Sequence, residues 1–416
     1  MRLSADYDTI GDPNPYRALR VSLHAKALCT ILSLCCSSHL LSVAACAVYV
    51  WADIPERADT DACVQSAGPG HGDFNQDGHV DLVYQDAYTG GNLHIMSGLG
   101  NGSFTEVQQV ILPVAVGARI TVADLNGDGS PDLIVGYNGF ESNFTPTEMT
   151  VLLNRGDGTF GQPIFTTYPT LAEPETALQH LALGDFNGDG HLDFIFSGSA
   201  GIILMRGDGT GHFTPQVLFA VSNDTSLDVY TGDFNEDGKP DFAFNGYFGV
   251  YYSLNTGTGL FGPQTLTKVL TNPPTGFGVS DLNRDGHQDI LYGYNGSLCI
   301  AYGKGNGTFT SSVVSGPAPG DSIFAVITVR DVNGDGLPDI VTSNLSGPVA
   351  ELQNASGQFS KAYASGPAVG DRGLLQPAFA DFDGDGVGDI VSATTGGLVF
   401  SKGLPNGWRG CGRRRS

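Results

Sequence analysis

The chain has 416 residues, 41% of them apolar and only 15% charged, and its acids outnumber its bases by 43 to 20 for a formal charge of −23. That is enough apolar content for a core, while the acidity argues against nucleic-acid binding, because phosphate backbones select basic surfaces. Of seven cysteines, Cys29, Cys35, Cys36 and Cys46 share one N-terminal apolar segment and Cys411 lies in the C-terminal tail. Only Cys63 and Cys299 remain, so the chain is not a disulfide scaffold and its stability must come from packing and metal.

Residues 1–26 form a basic leading region that includes Arg17, Arg20 and Lys26. Residues 27–52 hold no acid and are the one long apolar stretch, broken by Ser37, Ser38 and His39; Asp53, Glu56, Asp59 and Asp61 follow. This asymmetry puts the N-terminus in the cytoplasm and the rest of the chain outside, so the protein is expected to be extracellular or at the cell surface. Three fates of the segment stay open: an uncleaved transmembrane anchor, cleavage near Ala45-Cys46-Ala47, or lipidation of Cys46 at the lipobox-like Val43-Ala44-Ala45-Cys46. Residues 53–70 read as a linker, 71–403 as a repeat region and 404–416 as a basic tail.

The repeat announces itself through Asp-x-Asn-x-Asp-Gly-x-x-Asp, with Asp at the third position of the last copy. Seven copies start at Asp73, Asp124, Asp185, Asp233, Asp281, Asp331 and Asp381, so a unit of about 50 residues recurs, the period of propellers and solenoids. The unit beginning at Asp124 reads as four short strands separated by Gly- and Asn-rich turns. Its runs LIV (133–135) and VLL (151–153) are continuously apolar, as in strands buried on both faces between stacked sheets. Helical periodicity is lacking after residue 60, which removes helical solenoids and alternating strand–helix folds. Stacking seven four-stranded units radially predicts an all-β, seven-bladed β-propeller, whose closure hides most strand edges.

A second marker recurs in phase where the third strand should turn into the fourth: GNGSF (100–104), GDGTF (156–160), GDGTGHF (207–213), GTGLF (257–261), GNGTF (305–309) and the weaker ASGQF (355–359). Its glycines permit the positive φ of tight hairpins, and its aromatic is expected to plug the interface between units.

The acidic loops predict a hard cation. Calcium takes six to eight oxygens, and a short loop supplies them when positions 1, 3 and 5 point inward, Gly at 6 allows the turn, position 7 offers its carbonyl and Asp at 9 closes the shell. The expected ligand sets are Asp73, Asn75, Asp77, His79 and Asp81; Asp124, Asn126, Asp128, Ser130 and Asp132; Asp185, Asn187, Asp189, His191 and Asp193; and Asp233, Asn235, Asp237, Lys239 and Asp241. The last three are Asp281, Asn283, Asp285, His287 and Asp289; Asp331, Asn333, Asp335, Leu337 and Asp339; and Asp381, Asp383, Asp385, Val387 and Asp389. These loops hold nearly all of the chain's excess negative charge. An EF-hand would need Glu at position 12, where Tyr84, Val135 and Phe196 stand instead. Magnesium, with its strict octahedron and tightly held waters, does not suit such a cage. Packed carboxylates repel one another, so the loops should lose order without a cation.

The pattern GDFNxDGxxD with in-phase GDGTF turns resembles the FG-GAP/VCBS repeats of integrin-α-like seven-bladed propellers over roughly residues 64–410. The resemblance implies fold and up to seven calcium ions rather than a ligand, since similar propellers include adhesion proteins, lectins, bacterial surface proteins and some polysaccharide lyases. Two departures stand out. SAGPGHGDFN lacks the usual apolar first strand, and the last unit stops after DIVSATT and GLVFSKG, so its outer strand is missing or supplied by residues 55–70.

Other chemistry is sparse. Two Arg-Gly-Asp triplets, Arg155-Gly156-Asp157 and Arg206-Gly207-Asp208, fall in the hairpin turns, and His79, His191 and His287 at position 7 read as solvated ring edges. No catalytic or phosphate-binding motif is present. The expected function is a non-catalytic, calcium-stabilised, monomeric propeller that binds protein or carbohydrate in adhesion or recognition; the alternative is a polysaccharide lyase or hydrolase on the same scaffold. Calcium loops join strands one and two, so long connections at 138–147 and 168–176 emerge on the opposite face as a candidate ligand rim.

Overall fold

The computed structural model describes the chain from Pro69 to Gly403, apart from short stretches of which 137–147, 170–180 and 364–377 are the longest. The leading region, the apolar segment, residues 53–68, the basic tail and most of the proposed ligand rim lie outside the described residues. Among the described residues no helix is long and apolar enough to cross a membrane.

The described part is all-β and built from repeated antiparallel sheets, six of four strands and one of three. Each takes its strands in chain order. In sheet 1, Gly70–Gly72 pairs with Asp81–Gln85, then Leu93–Gly98, then Phe104–Val110. Sheets 2 to 7 follow over 119–167, 182–219, 229–269, 275–315, 324–363 and 378–401. Every acidic loop joins a first strand to a second, and every described hairpin marker joins a third to a fourth.

The second strands are buried on both faces, as their apolar runs require. Leu133, Ile134 and Val135 in sheet 2 are fully buried, as are Phe194, Ile195 and Phe196 in sheet 3. They are covered by neighbouring sheets. Shared clusters join sheets 1 and 2 (Leu93, Val83 with Leu133, Val135), 2 and 3, 3 and 4, 4 and 5, and 5 and 6. A further cluster packs Leu82 and Met96 of sheet 1 against Ala378, Phe382 and Val391 of sheet 7, so the last sheet returns to the first.

One of the two departures at the ends has a physical account. The first strand of sheet 1 does form, from Gly-His-Gly: a Cβ on Gly70 would stand 2.9 Å from Ile120 and from Val83. The missing side chains are what let sheet 2 close over this strand. Sheet 7 has three strands, Ala378–Ala380, Asp389–Thr394 and Gly397–Ser401, and no fourth among the described residues. Gly70 is already paired within sheet 1, and residues 55–68 lie outside the description.

Candidate metal centre

Each acidic loop is wound by its own side chains. The position-1 carboxylate accepts the Gly N–H of position 6 at 2.7–2.9 Å through one oxygen. Its other oxygen takes the position-5 N–H at 3.1–3.2 Å. Asn at position 3 accepts that same N–H, and the position-5 carboxylate accepts the N–H of position 7 at 2.8–3.1 Å. These are Asx-type turns wound in series. Position 4 bends the chain through the left-handed region. Gly127, Gly188 and Gly384 do so freely, whereas Gln76, Glu236 and Arg284 are held there at φ 58°, 57° and 62°.

Position 9 behaves differently from positions 1, 3 and 5. Asp81, Asp132, Asp193, Asp241, Asp289, Asp339 and Asp389 are at most 1% exposed. One oxygen accepts the N–H of position 2 (Phe74, Leu125, Phe186, Phe234, Leu282, Phe382) at 2.8–3.0 Å. The other accepts the N–H at the end of the third strand (Gly98, Asn154, Gly207, Asn255, Gly303, Gln353, Gly403) at 2.7–2.9 Å. Position 9 is thus a brace between the loop and the sheet that carries it. Burial pushes the carboxyls of Asp132, Asp193, Asp241, Asp289 and Asp389 up to about 6 and raises Asp81 as well, against the pull of those backbone N–H groups. The exposed position-5 groups Asp128 and Asp285 are shifted the other way, chiefly by the position-7 N–H they accept.

The loops also lock neighbouring sheets together. Position 2 points its ring into the next interface, where the hairpin-marker aromatic meets it: Phe74 with Phe160 at 5.4 Å, Phe186 with Phe261 at 5.8 Å, Phe234 with Phe309 at 5.5 Å, and Phe382 with Phe104 at 5.8 Å. The carbonyl of the same residue accepts a bond from the next sheet. Asn154 and Asn255 side chains reach Phe74 and Phe186, and Gln353 reaches Leu282, at 2.8–2.9 Å. A hairpin N–H also donates to this carbonyl: Gly259 to Phe186 at 2.9 Å, Gly307 to Phe234 at 2.8 Å, and Gly102 to Phe382 at 3.2 Å. Sequence reasoning missed these latches. Their signal is the Asn or Gln that replaces Gly at the end of a third strand.

The remaining candidates resolve simply. Asp157 and Asp208 of the two Arg-Gly-Asp triplets accept the N–H and hydroxyl of Thr159 and Thr210, which folds them into their own turns. His79 and His191 are exposed but lay their rings on Gly100 and Gly209, where a Cβ would come within 2.4 Å, rather than standing free in solvent. His287 pairs through Nδ1 with Glu236 of the preceding loop, and Gln76 donates to Ser130 Oγ of the following loop at 3.2 Å. Cys299 is buried in the core.

A cation would meet only oxygens on the rim, from positions 1, 3 and 5 and the carbonyl at 7, which suits a hard ion. Among the described residues, Asp381, Asp383 and Asp385 are the one acidic group whose ligand atoms lie within 4.8 Å of one another. Asp383 Oδ1 there is buried without a hydrogen-bond partner. In the other loops Asn takes the middle place, and the position-9 carboxylate does not converge with positions 1 and 5 to that distance. The donor set on the rim therefore fits a hard cation.

Three solved structures share this architecture at low identity. A lectin from Agrocybe aegerita, described as recognising non-reducing terminal N-acetylglucosamine, is 20% identical with a TM-score of 0.52, over 72% of this chain and 79% of that one. Two structures of BBS1N in complex with ARL6DN, soaked with lead and with mercury, are 14% and 13% identical with TM-scores of 0.53 and 0.52, over 83% and 82% of this chain and 93% of each of theirs. These likenesses concern the fold alone. None of the curated proteins matches the chain. The FG-GAP-like repeat family matches residues 73–135, 142–196, 185–244, 281–342 and 331–392. With that coverage, and with every matched segment containing at least one of the acidic loops just described, the chain belongs to the FG-GAP-like repeat family.

Proposed function

We propose that the protein is a seven-bladed β-propeller, exported or held at the cell surface, that binds protein or carbohydrate ligands without transforming them and uses calcium to stiffen its blades. The observation that carries this reading is the repetition of one oxygen-rich loop in every sheet, with five of the loops latched to the neighbouring blade through the carbonyl of position 2. Calcium bound at Asp, Asn, Asp and the position-7 carbonyl would offset the repulsion among the rim carboxylates. The return of sheet 7 to sheet 1 supports ring closure. Carbohydrate is among the ligand classes to try, in keeping with the lectin neighbour, and the long connections at 138–147 and 168–176 are the proposed ligand rim.

A glycan array that includes terminal N-acetylglucosamine, run with calcium and with chelator beside an assay for new reducing ends or unsaturated products, tests the reading. Glycan binding that chelator abolishes, without product, is the expected result. Turnover would overturn the non-catalytic assignment in favour of a polysaccharide-degrading enzyme. Melting that is indifferent to chelator would overturn the calcium assignment.

A further inference from the structure

The seventh loop departs from the other six in one residue and in what faces that residue. In loops 1, 2, 3, 5 and 6 the Asn at position 3 donates through Nδ2 to the position-5 carboxylate at 2.8–3.0 Å. Asp383 cannot donate, and it adds a third carboxylate beside Asp381 and Asp385. The missing donor comes from Lys402, directly after the third strand of sheet 7. Its Nζ donates to Asp385 Oδ2 at 2.9 Å and to Asp383 Oδ2.

The lysine is held in place by the brace already described. Its neighbour Gly403 donates to Asp389 Oδ1 at 2.7 Å, and a Cβ on Gly403 would stand 2.2 Å from the Gly388 carbonyl, so the ammonium hangs from a closely fitted backbone. The corresponding residues of sheets 1 to 6 are Ser97, Leu153, Arg206, Leu254, Tyr302 and Leu352. Of these only Arg206 is cationic, and it lies against Gly259 of sheet 4, where a Cβ would come 2.8 Å from its guanidinium. In loop 4, Lys239 reaches a single carboxylate, Asp237, at 3.1 Å. One ammonium bridging two carboxylates of one loop therefore occurs, among the described residues, only in loop 7.

We infer that Lys402 is the tethered cation of the seventh loop, so that this loop stays closed without a divalent ion and calcium fills only the other six. The inference rests on the calcium reading proposed above. A side chain fixed on the adjoining strand competes at a high effective concentration, and it stands where an ion would have to contact Asp383 and Asp385. The location matters. Loop 7 lies at the seam where Phe382 accepts Gly102 N–H and packs on Phe104 of sheet 1. A built-in cation keeps that seam closed when calcium is withdrawn and the other loops lose theirs.

Native mass spectrometry of the full chain in calcium counts the ions directly. Six are expected in the unmodified protein, seven in Lys402→Met and six again in Lys402→Arg. In chelator, Lys402→Met should melt at a lower temperature than the unmodified protein, and calcium should restore it. Seven ions in the unmodified protein would overturn the inference whether or not any variant folds, and six in Lys402→Met would overturn it as well. Absence of bound ions in every form would instead overturn the calcium reading itself, an outcome distinct from a count of seven.

Discussion

The rim and the floor of each acidic loop carry the same residue type under opposite physics. On the rim, Asp285 is exposed and its carboxyl is shifted below the usual range by the N–H of His287. On the floor, Asp289 is fully buried, its carboxyl is pushed up to about 6, and both its oxygens accept backbone N–H groups. A motif that reads as one uniform cage is therefore two devices: an outer set of oxygens open to an ion, and an inner carboxylate that ties loop to sheet. The distinction can be broken experimentally at either level.

The largest effect belongs to the floor. Asp193→Ala leaves the Phe186 and Gly207 N–H groups buried without acceptors, at about 1–3 kcal/mol for each unsatisfied group. A loss of roughly 3 kcal/mol or more in denaturant unfolding is expected, of similar size in chelator and in calcium, because the brace acts on the backbone directly. A variant as stable as the parent in chelator would contradict the brace.

The pH dependence of the metal-free protein follows from the same residues. Asp132, Asp193, Asp241, Asp289 and Asp389 have folded values of about 6 against an ordinary value of 3.8, so their contribution is fully present below pH 4 and lost as pH rises through 6. His287, raised chiefly by its hydrogen bond to Glu236, contributes with the same sign. In chelator the melting temperature should therefore rise by about 5 °C or more between pH 7.5 and pH 5. With calcium the slope should reverse, since the ion favours ionised carboxylates and is released by acid. The same slope in both conditions would remove the division between floor and rim.

On the rim, Asp285→Asn should leave stability in chelator within about 1 kcal/mol of the parent, because it removes one of several mutually repelling charges. What it should remove is a share of the calcium response: one site at 100 times its Kd supplies about 2.7 kcal/mol. A calorimetric titration that loses one binding event without a change in chelator stability is the expected outcome. An unchanged ion count would place the bound metal elsewhere.

Much of this was legible because it repeats. Seven spaced motifs, in phase with hairpin turns ending in Phe104, Phe160, Phe261 and Phe309, imposed four strands per unit and an aromatic at each interface. The latch partners Asn154, Asn255 and Gln353 were not legible, since their bonds span 69–80 residues of sequence. The brace had a readable sign: Asp132 opens the run Asp-Leu-Ile-Val, and a carboxylate at the head of a doubly buried strand is itself buried. The Gly70–Gly72 strand had none, because close approach by Ile120 is a property of the neighbouring sheet.

The smallest test concerns the contact between loops. Glu236 sits at φ 57° where four other loops carry Gly, and it pairs with His287 across the rim. Holding a non-Gly residue in the left-handed region costs about 1 kcal/mol or more, whereas a partly exposed ion pair is screened by solvent. The two contributions separate with pH. Glu236→Gly relieves the backbone, so at pH 9, where the imidazole is neutral, it should stabilise the protein by up to about 1 kcal/mol. At pH 6 the lost pairing with protonated His287 subtracts from that gain. Glu236→Gln, which keeps the strain and removes the charge, should lower the melting temperature at pH 6 and leave it unchanged at pH 9. If Glu236→Gly destabilises at both pH values, the contact between the fourth and fifth loops outweighs its backbone strain, and the rim is a coupled structure rather than a set of independent ion sites.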